Sequence, residues 1–206
     1  MKLYLVRHGE SEGNAGDITQ GKDGALSPHG VKQAQFLAER LSRVDFDQIL
    51  VSEYERAEET ASYIWEATKK PLLATPLLNE RRHPSIIIGK KRDDPEVVRI
   101  KNEVWESYHR KDWYHSDEEN FFDLHRRALE FLKFVEGLDN KKNVAITHGF
   151  FLRVLIATMM FGEKLTPEVF ISFAHFVKTK NTGITLCEKD SYDWHLLTWN
   201  DHAHLG

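Results

Sequence analysis

The feature that most constrains this chain is a pair of apolar runs that each end in His-Gly. Leu3-Tyr4-Leu5-Val6 runs into Arg7-His8-Gly9-Glu10, and Asn143-Val144-Ala145-Ile146-Thr147 runs into His148-Gly149. Short, β-prone apolar runs read as buried strands. In an open α/β sheet, ligands sit outside the carboxyl ends of parallel strands. Two such strands bring two imidazoles to one edge. A third candidate, Gln48-Ile49-Leu50-Val51, ends at Ser52 with Arg56 four residues on. Arg7 and Arg56 add forked donors suited to phosphate or carboxylate. The helix expected after His148 aims its positive end and free N–H groups at the same spot. Glycine after each histidine lets backbone approach an anion. Together these residues describe a pocket for a dianionic phosphoryl group.

Around these strands the chain alternates, which predicts an α/β fold with a mainly parallel sheet. Ser27-Pro28 reads as N-cap and first helical position, and apolar spacing predicts a helix to about Arg43. A helix over 55–68 and a short strand over 71–74 follow. Residues 78–120 break the rhythm with dense charge and large aromatics, and read as an inserted, partly helical cap. Beyond it come helices over 121–137 and 150–161, a helix opening at Thr166-Pro167, and strands over 183–187 and 194–199. The expectation is one three-layer α/β/α domain with a cap at about 78–120.

Composition narrows the function classes. A length of 206 residues suits one domain with an elaboration. A formal charge of −4 gives no broad basic surface, so nucleic acid is not an expected partner. The only cysteine is Cys187, which forbids an intrachain disulfide and fits a reducing compartment. The apolar run after Lys2 is too short for a signal peptide, and no segment has the length to span a bilayer. A cytoplasmic protein is expected; nothing in the sequence reads out its oligomeric state. His195, His202 and His204 lack metal-ligand company and read as a frayed polar end. His83, His109 and His115 read as surface residues of the cap, with substrate contact as the lesser reading. Lys90-Lys91-Arg92 reads as a solvated loop, with recognition of a second anionic group as the lesser reading, towards which the basic residues near Glu80 lean. The aromatics from Trp105 to Tyr114 read as helix packing within the cap.

The motifs also occur in a telling order. Leu5-Val6-Arg7-His8-Gly9-Glu10-Ser11 with Asn14 comes first, then Leu26-Ser27-Pro28-His29-Gly30 with Gln33-Ala34. Ser52-Glu53-Tyr54-Glu55-Arg56-Ala57 with Thr60-Ala61, Leu78-Asn79-Glu80, Thr147-His148-Gly149, and Asn200-Asp201 with His204-Leu205 follow. This set resembles the histidine phosphatase superfamily, in its phosphoglycerate-mutase-like branch, over most of the chain. Tyr54 stands where leucine is common. The resemblance implies that His8 attacks phosphorus and becomes a phosphohistidine. It implies that Arg7, Arg56 and His148 bind the transferring group and stabilise its charge. Asn14 would add a hydrogen bond, Gln20 and Gly21 would lie near the leaving group, and Gly149 would border the substrate. Glu80 would protonate the leaving oxygen and then activate water.

The implied activity is phosphomonoester hydrolysis on a small phosphorylated substrate, less readily on a phosphoprotein. Neither metal nor cofactor is expected, because arginine and histidine supply the positive charge. An attacking imidazole must be neutral, so His8 needs its second nitrogen held as a donor to a nearby carbonyl. Glu80 must carry a proton when it donates, which Arg81 and Arg82 oppose if they face it. A phosphoglycerate mutase is the alternative. Against it, Glu80-Arg81-Arg82-His83-Pro84 stands where the mutases compared have Glu-Arg-His-Tyr-Gly, and the insert is short and lacks their later paired arginines. A non-catalytic phosphate-sensing or protein-binding module is the third reading. Such a module is expected to have lost a motif residue, and none is missing.

Overall fold

The computed structural model describes residues 1–206. Six strands form one sheet: β1 (Lys2–Arg7), β2 (Gln48–Val51), β3 (Leu72–Ala74), β4 (Lys142–Thr147), β5 (Ile184–Lys189) and β6 (Trp194–Asp201). Their order is β3-β2-β4-β1-β5-β6. The first four run parallel, and β5 is antiparallel to both its neighbours. The helices are α1 (Glu12–Ala15), α2 (Pro28–Leu41), α3 (Glu55–Thr68), α4 (Pro95–Glu106), α5 (Phe121–Glu136), α6 (Gly149–Phe161) and α7 (Pro167–Phe176). None is long and apolar enough to cross a membrane.

Alternation along the strands divides the core into two layers. Leu3 and Leu5 of β1, Leu50 of β2 and Ala145 of β4 pack on α5, α6 and α7. Val6, Ile49, Val51, Val144 and Ile146 face the other way, against Leu37 and Leu41 of α2 and Ala61 and Ile64 of α3. α6 is apolar on nearly every side and is buried accordingly. The expected helix starts hold: Ser27 Oγ accepts from the Gly30 N–H at 3.0 Å with Pro28 in the first turn, and Thr166-Pro167 opens α7.

Residues 78–120 carry one α-helix, α4, a short 3-10 turn over Ser85–Ile87 and a small apolar cluster of Ile87, Val97 and Ile100. This segment is tied to the loop after β1. Ile18 bridges Lys91, the Thr19 N–H donates to the Lys90 carbonyl at 2.9 Å, and the Gly89 N–H donates to the Thr19 carbonyl at 2.9 Å.

Three local expectations are corrected. The loop expected over 10–26 contains α1, because Ser11 and Asn14 form a reciprocal cap on its first turn. The chain end is docked rather than frayed: Asp201 pairs with Arg40, and His204 bonds to Thr182 Oγ1 at 3.0 Å. Of the aromatic run, only Trp105 lies in α4; Tyr108 stacks on it at 5.2 Å just beyond the helix, and Tyr114 is exposed.

The loop after His8 is pressed onto the start of α2. A Cβ on Gly30 would lie 1.8 Å from the Glu10 carbonyl oxygen, with no flexible atom to yield. Gly30→Ala is therefore expected to destabilise the fold by about 2–3 kcal/mol through overpacking. Urea unfolding reads this directly, and a loss below roughly 0.5 kcal/mol, the range of neutral surface changes, would refute the contact.

Candidate active site

The site follows from strand register. β1 and β4 pair without offset, Val6 opposite Ile146 and Arg7 opposite Thr147. The ladder continues one step as the His8 N–H donates to the Thr147 carbonyl at 2.9 Å. β2 ends level with them, Val51 opposite Ile146 and the Ser52 N–H on the Ile146 carbonyl at 3.0 Å. His8, His148 and Ser52 thus emerge side by side at the carboxyl edge. The two imidazoles are 4.9 Å apart between ring centroids and both are buried.

Hydrogen bonds fix what each ring can do. His8 Nδ1 lies 2.6 Å from the Gly9 carbonyl oxygen, which can only accept, so Nδ1 carries the proton. Nε2 is left with a lone pair and receives Arg56 Nε–H at 3.3 Å. This carbonyl is the donor-holding partner that nucleophilic attack requires. At His148 a chain of bonds runs inward. Asn79 Oδ1 accepts from the Glu53 N–H at 2.9 Å, so the Ser52 hydroxyl, also 2.9 Å away, donates to it. Ser52 Oγ therefore accepts from His148 Nε2–H at 2.7 Å. His148 Nδ1 is buried with no partner in the protein. Burial first holds both imidazoles well below their ordinary value near 6.5, followed by Arg56 and Arg7 at His8 and by His8, Arg56 and Arg7 at His148.

The cations are anchored by backbone. Arg56 donates to the Gly21 carbonyl at 2.9 Å and lies over the Tyr54 ring at 5.0 Å. Arg7 donates to the Thr179 carbonyl at 2.8 Å, and its Nε is buried without a partner. Arg81, Arg92, Lys101, Arg153 and Lys178 join them around a cleft of about 500 Å³ whose only carboxylate is Glu80. Burial, then Arg81 and Arg92, pushes the Lys101 ammonium down to about 8.

Glu80 occupies the start of α6. Its Oε2 accepts from the Phe150 N–H at 3.1 Å, and its Oε1 accepts from the N–H groups of Phe151 and Arg81, each at 3.0 Å. This corrects the expectation that the helix start would cradle phosphate: two of its free N–H groups hold the acid. Arg127 of α5 steadies the same stretch. It pairs with Glu119 at 2.9 Å, donates to the Asn79 carbonyl at 2.6 Å and stacks over Phe151 at 4.0 Å.

The glycines are also reassigned. The Gly9 N–H donates to Thr60 Oγ1 at 3.0 Å, and a Cβ there would lie 2.7 Å from the Gly30 carbonyl, so this glycine serves packing rather than an anion. Gly149 lines the cleft and makes room for Arg7, whose Nε would lie 3.2 Å from a Cβ.

Asn14 and Gln20 line the cleft, and each also works in the loop. Asn14 Oδ1 closes the α1 cap, and Gln20 Oε1 accepts from Ser11 Oγ at 2.6 Å. Gly21 lies outside the lining and acts through the carbonyl that holds Arg56. Glu10 accepts from Ser27 Oγ at 2.7 Å and binds the loop to α2. His83 and Arg92, read as surface and solvated loop, line the cleft instead. The Arg82 side chain turns away, its Nε–H donating to the Asp117 carbonyl, while its backbone N–H donates to Glu119. Arg153 was missed, although it follows Gly149 by four residues and so shares its helix face. Lys178 and Thr179 lie in a loop without a sequence pattern.

Comparison with known proteins gives this geometry its class. Residues 3–202 match the histidine phosphatase superfamily (branch 1), and the chain belongs to that family. It is similar to a protein of Schizosaccharomyces pombe named as a probable phosphatase, 31% identical over 100% of this chain and 95% of that one. It is also 32% identical to a 2,3-bisphosphoglycerate-dependent phosphoglycerate mutase of Bradyrhizobium, over 81% of this chain and 83% of the other. The crystal structure of the alpha-ribazole phosphatase from Shigella flexneri superposes with a TM-score of 0.79 at 26% identity, covering 98% of this chain and 97% of that one.

Two buried neutral imidazoles have a consequence for stability. Unfolding returns them to water, where they take up protons below about 6.5. The unfolded chain then binds more protons than the folded one, so stability falls as pH drops below that value, by up to about 1.4 kcal/mol per pH unit for each group. Denaturant unfolding at pH 6.5 and about pH 5.5 should show this loss, reduced by about 1 kcal/mol in His148→Asn. Equal losses in both proteins would contradict the neutral assignment.

Proposed function

We propose that this protein hydrolyses phosphomonoesters of small molecules, without a metal or other cofactor, through a phosphohistidine on His8. The observation that carries the reading is the 2.6 Å contact of His8 Nδ1 with the Gly9 carbonyl, which leaves Nε2 as a lone pair among guanidiniums.

In this reading Arg7 and Arg56 bind the phosphoryl oxygens, and their fixed positive charge favours the transition state without reorganisation. Asn14 and Gln20 add donors from the loop. His148 Nδ1, unpartnered in the protein, gains a proton as the dianion arrives and donates to it. His8 Nε2 forms the P–N bond as the ester P–O bond breaks, and the leaving oxygen takes a proton from Glu80. Glu80 Oε2, with a single backbone bond, is the oxygen that carries it. Water then attacks the phosphohistidine, giving its proton to Glu80; the P–N bond breaks and orthophosphate leaves. The positive charges that a divalent ion would supply elsewhere come here from side chains. With Cys187 as a buried free thiol, we infer a cytoplasmic enzyme.

Rapid quenching with a ³²P-labelled phosphomonoester should trap an acid-labile label on the wild-type protein and none on His8→Ala. Label retained in that variant would exclude His8 as acceptor. Glu80→Gln should lower kcat by roughly 10²–10⁴, the range for loss of a general acid–base group. Unchanged turnover would remove Glu80 from the chemistry. Activity should withstand EDTA; loss restored by a divalent ion would overturn the metal-free reading. Robust mutase turnover with added 2,3-bisphosphoglycerate would shift the reading to the mutase. Absence of any vanadate-sensitive turnover would shift it to a binding module.

A further inference from the structure

Beside the cleft lies a second chamber of about 340 Å³, within the size range of small-molecule sites. The two share a rim formed by Arg81, His83, Lys101, Phe150 and Arg153. Beyond the rim the second chamber is walled by Ile100, Val104 and Trp105 of α4, with Asn102 and His175 as polar members of its lining.

The rim carries positive charge that the protein leaves uncompensated. A phosphoryl dianion at His8 engages Arg7 and Arg56, and Arg92 stands 3.4 Å from Asp17. The other cations at the rim form no ion pair with a carboxylate. The Arg81 guanidinium has neither a hydrogen bond nor an ion pair, and it lies over the Phe150 ring at 3.9 Å from its centroid. Arg153 lies over the same ring at 5.3 Å and donates only to the carbonyls of Gly149 and Ala174, at 3.1 and 2.8 Å. Lys101 donates to Thr19 Oγ1 at 3.0 Å. Unpaired cations at partly enclosed positions are unfavourable unless a partner arrives. Glu80 is the one carboxylate whose charge reaches Arg81 and Arg153, and its oxygens are held by the N–H groups of Arg81, Phe150 and Phe151 instead of an ion pair with either guanidinium. The Tyr108 hydroxyl, buried without a partner, stands in the field of Arg81 and Arg153.

We propose that the substrate carries a second anionic group, carboxylate or phosphoryl, which Arg81 and Arg153 bind at the rim while its carbon skeleton runs along Phe150 toward Val104 and Trp105. This rests on the phosphatase reading above. It assigns Arg81 to selection of the alcohol half of the substrate, away from the reacting phosphoryl group.

The test uses aryl phosphates that differ only at the para position. Phenyl phosphate reports the basic reaction. 4-Carboxyphenyl phosphate adds a carboxylate, 4-carbamoylphenyl phosphate is its neutral isostere, and 1,4-phenylene bisphosphate adds a phosphoryl group. At least one charged compound should exceed the carbamoyl compound in kcat/KM by roughly tenfold or more, the range of one charge-assisted hydrogen bond. Whichever gains identifies the anion. Arg81→Met, whose side chain has no polar partner to lose, should reduce that gain to about twofold or less, the carbamoyl compound turned over by the same variant serving as its reference. Equal turnover of charged and neutral compounds by the wild type, or a gain that survives Arg81→Met, would overturn the proposal. Absence of turnover on every compound, phenyl phosphate included, would instead count against the phosphatase reading itself.

Discussion

The in-register pairing of β1 with β4 is the constraint on which the rest depends. Parallel ladders fix both the direction and the level at which strands end. With Arg7 opposite Thr147, the next residue on each strand is a histidine, and the two rings meet 4.9 Å apart. A shift of one residue would turn every side chain of a strand to the other face of the sheet. Leu3 and Leu5 would then exchange places with Tyr4 and Val6, and two separate apolar layers would be lost. The hydrophobic pattern that stabilises the sheet is thus also what sets the spacing of the imidazoles.

Electrostatics then works against the scaffold. Two neutral histidines and several guanidiniums are gathered where water is partly excluded. The sole carboxylate at the cleft, Glu80, is engaged by three backbone N–H groups. Backbone carbonyls of Gly9, Gly21 and Thr179 supply the remaining compensation. They orient the groups without neutralising them, as a full ion pair would. A site held in this way is preorganised for a dianion and remains short of negative charge until one binds.

Much of this was legible from local pattern. Strand ends followed by His-Gly, together with Ser52 and Arg56, could be placed because parallel strands share an edge. The helix starts at Ser27-Pro28 and Thr166-Pro167 were set by capping chemistry within a few residues. What escaped was tertiary. The α6 N-terminus pointed to an anion site, but the chain supplies its own anion in Glu80, 70 residues away. Arg127 could not be seen as a brace for residues 77–80, since nothing in its helix pattern distinguishes it from a solvated arginine. Arg92 and His83 looked like surface because the cap has no periodicity long enough to reveal which side faces inward. The docked C-terminus depends on Arg40 and Asp201, 161 positions apart.

The short pairing between residues 89–92 and 17–19 has a kinetic meaning. Asn14 and Gln20 belong to the same loop as Ile18 and Thr19, and Lys101 adds a bond from α4 to Thr19. The cap is therefore not a lid that swings independently of the phosphate pocket. If it lifts with these bonds intact, it draws two pocket side chains with it and loosens the grip on the anion. If it lifts by breaking them, several backbone and side-chain hydrogen bonds must open together, which sets a barrier of its own. In either case an opening of the cap is felt at Asn14 and Gln20, so access for the alcohol half and the hold on the phosphoryl group are tied to one loop.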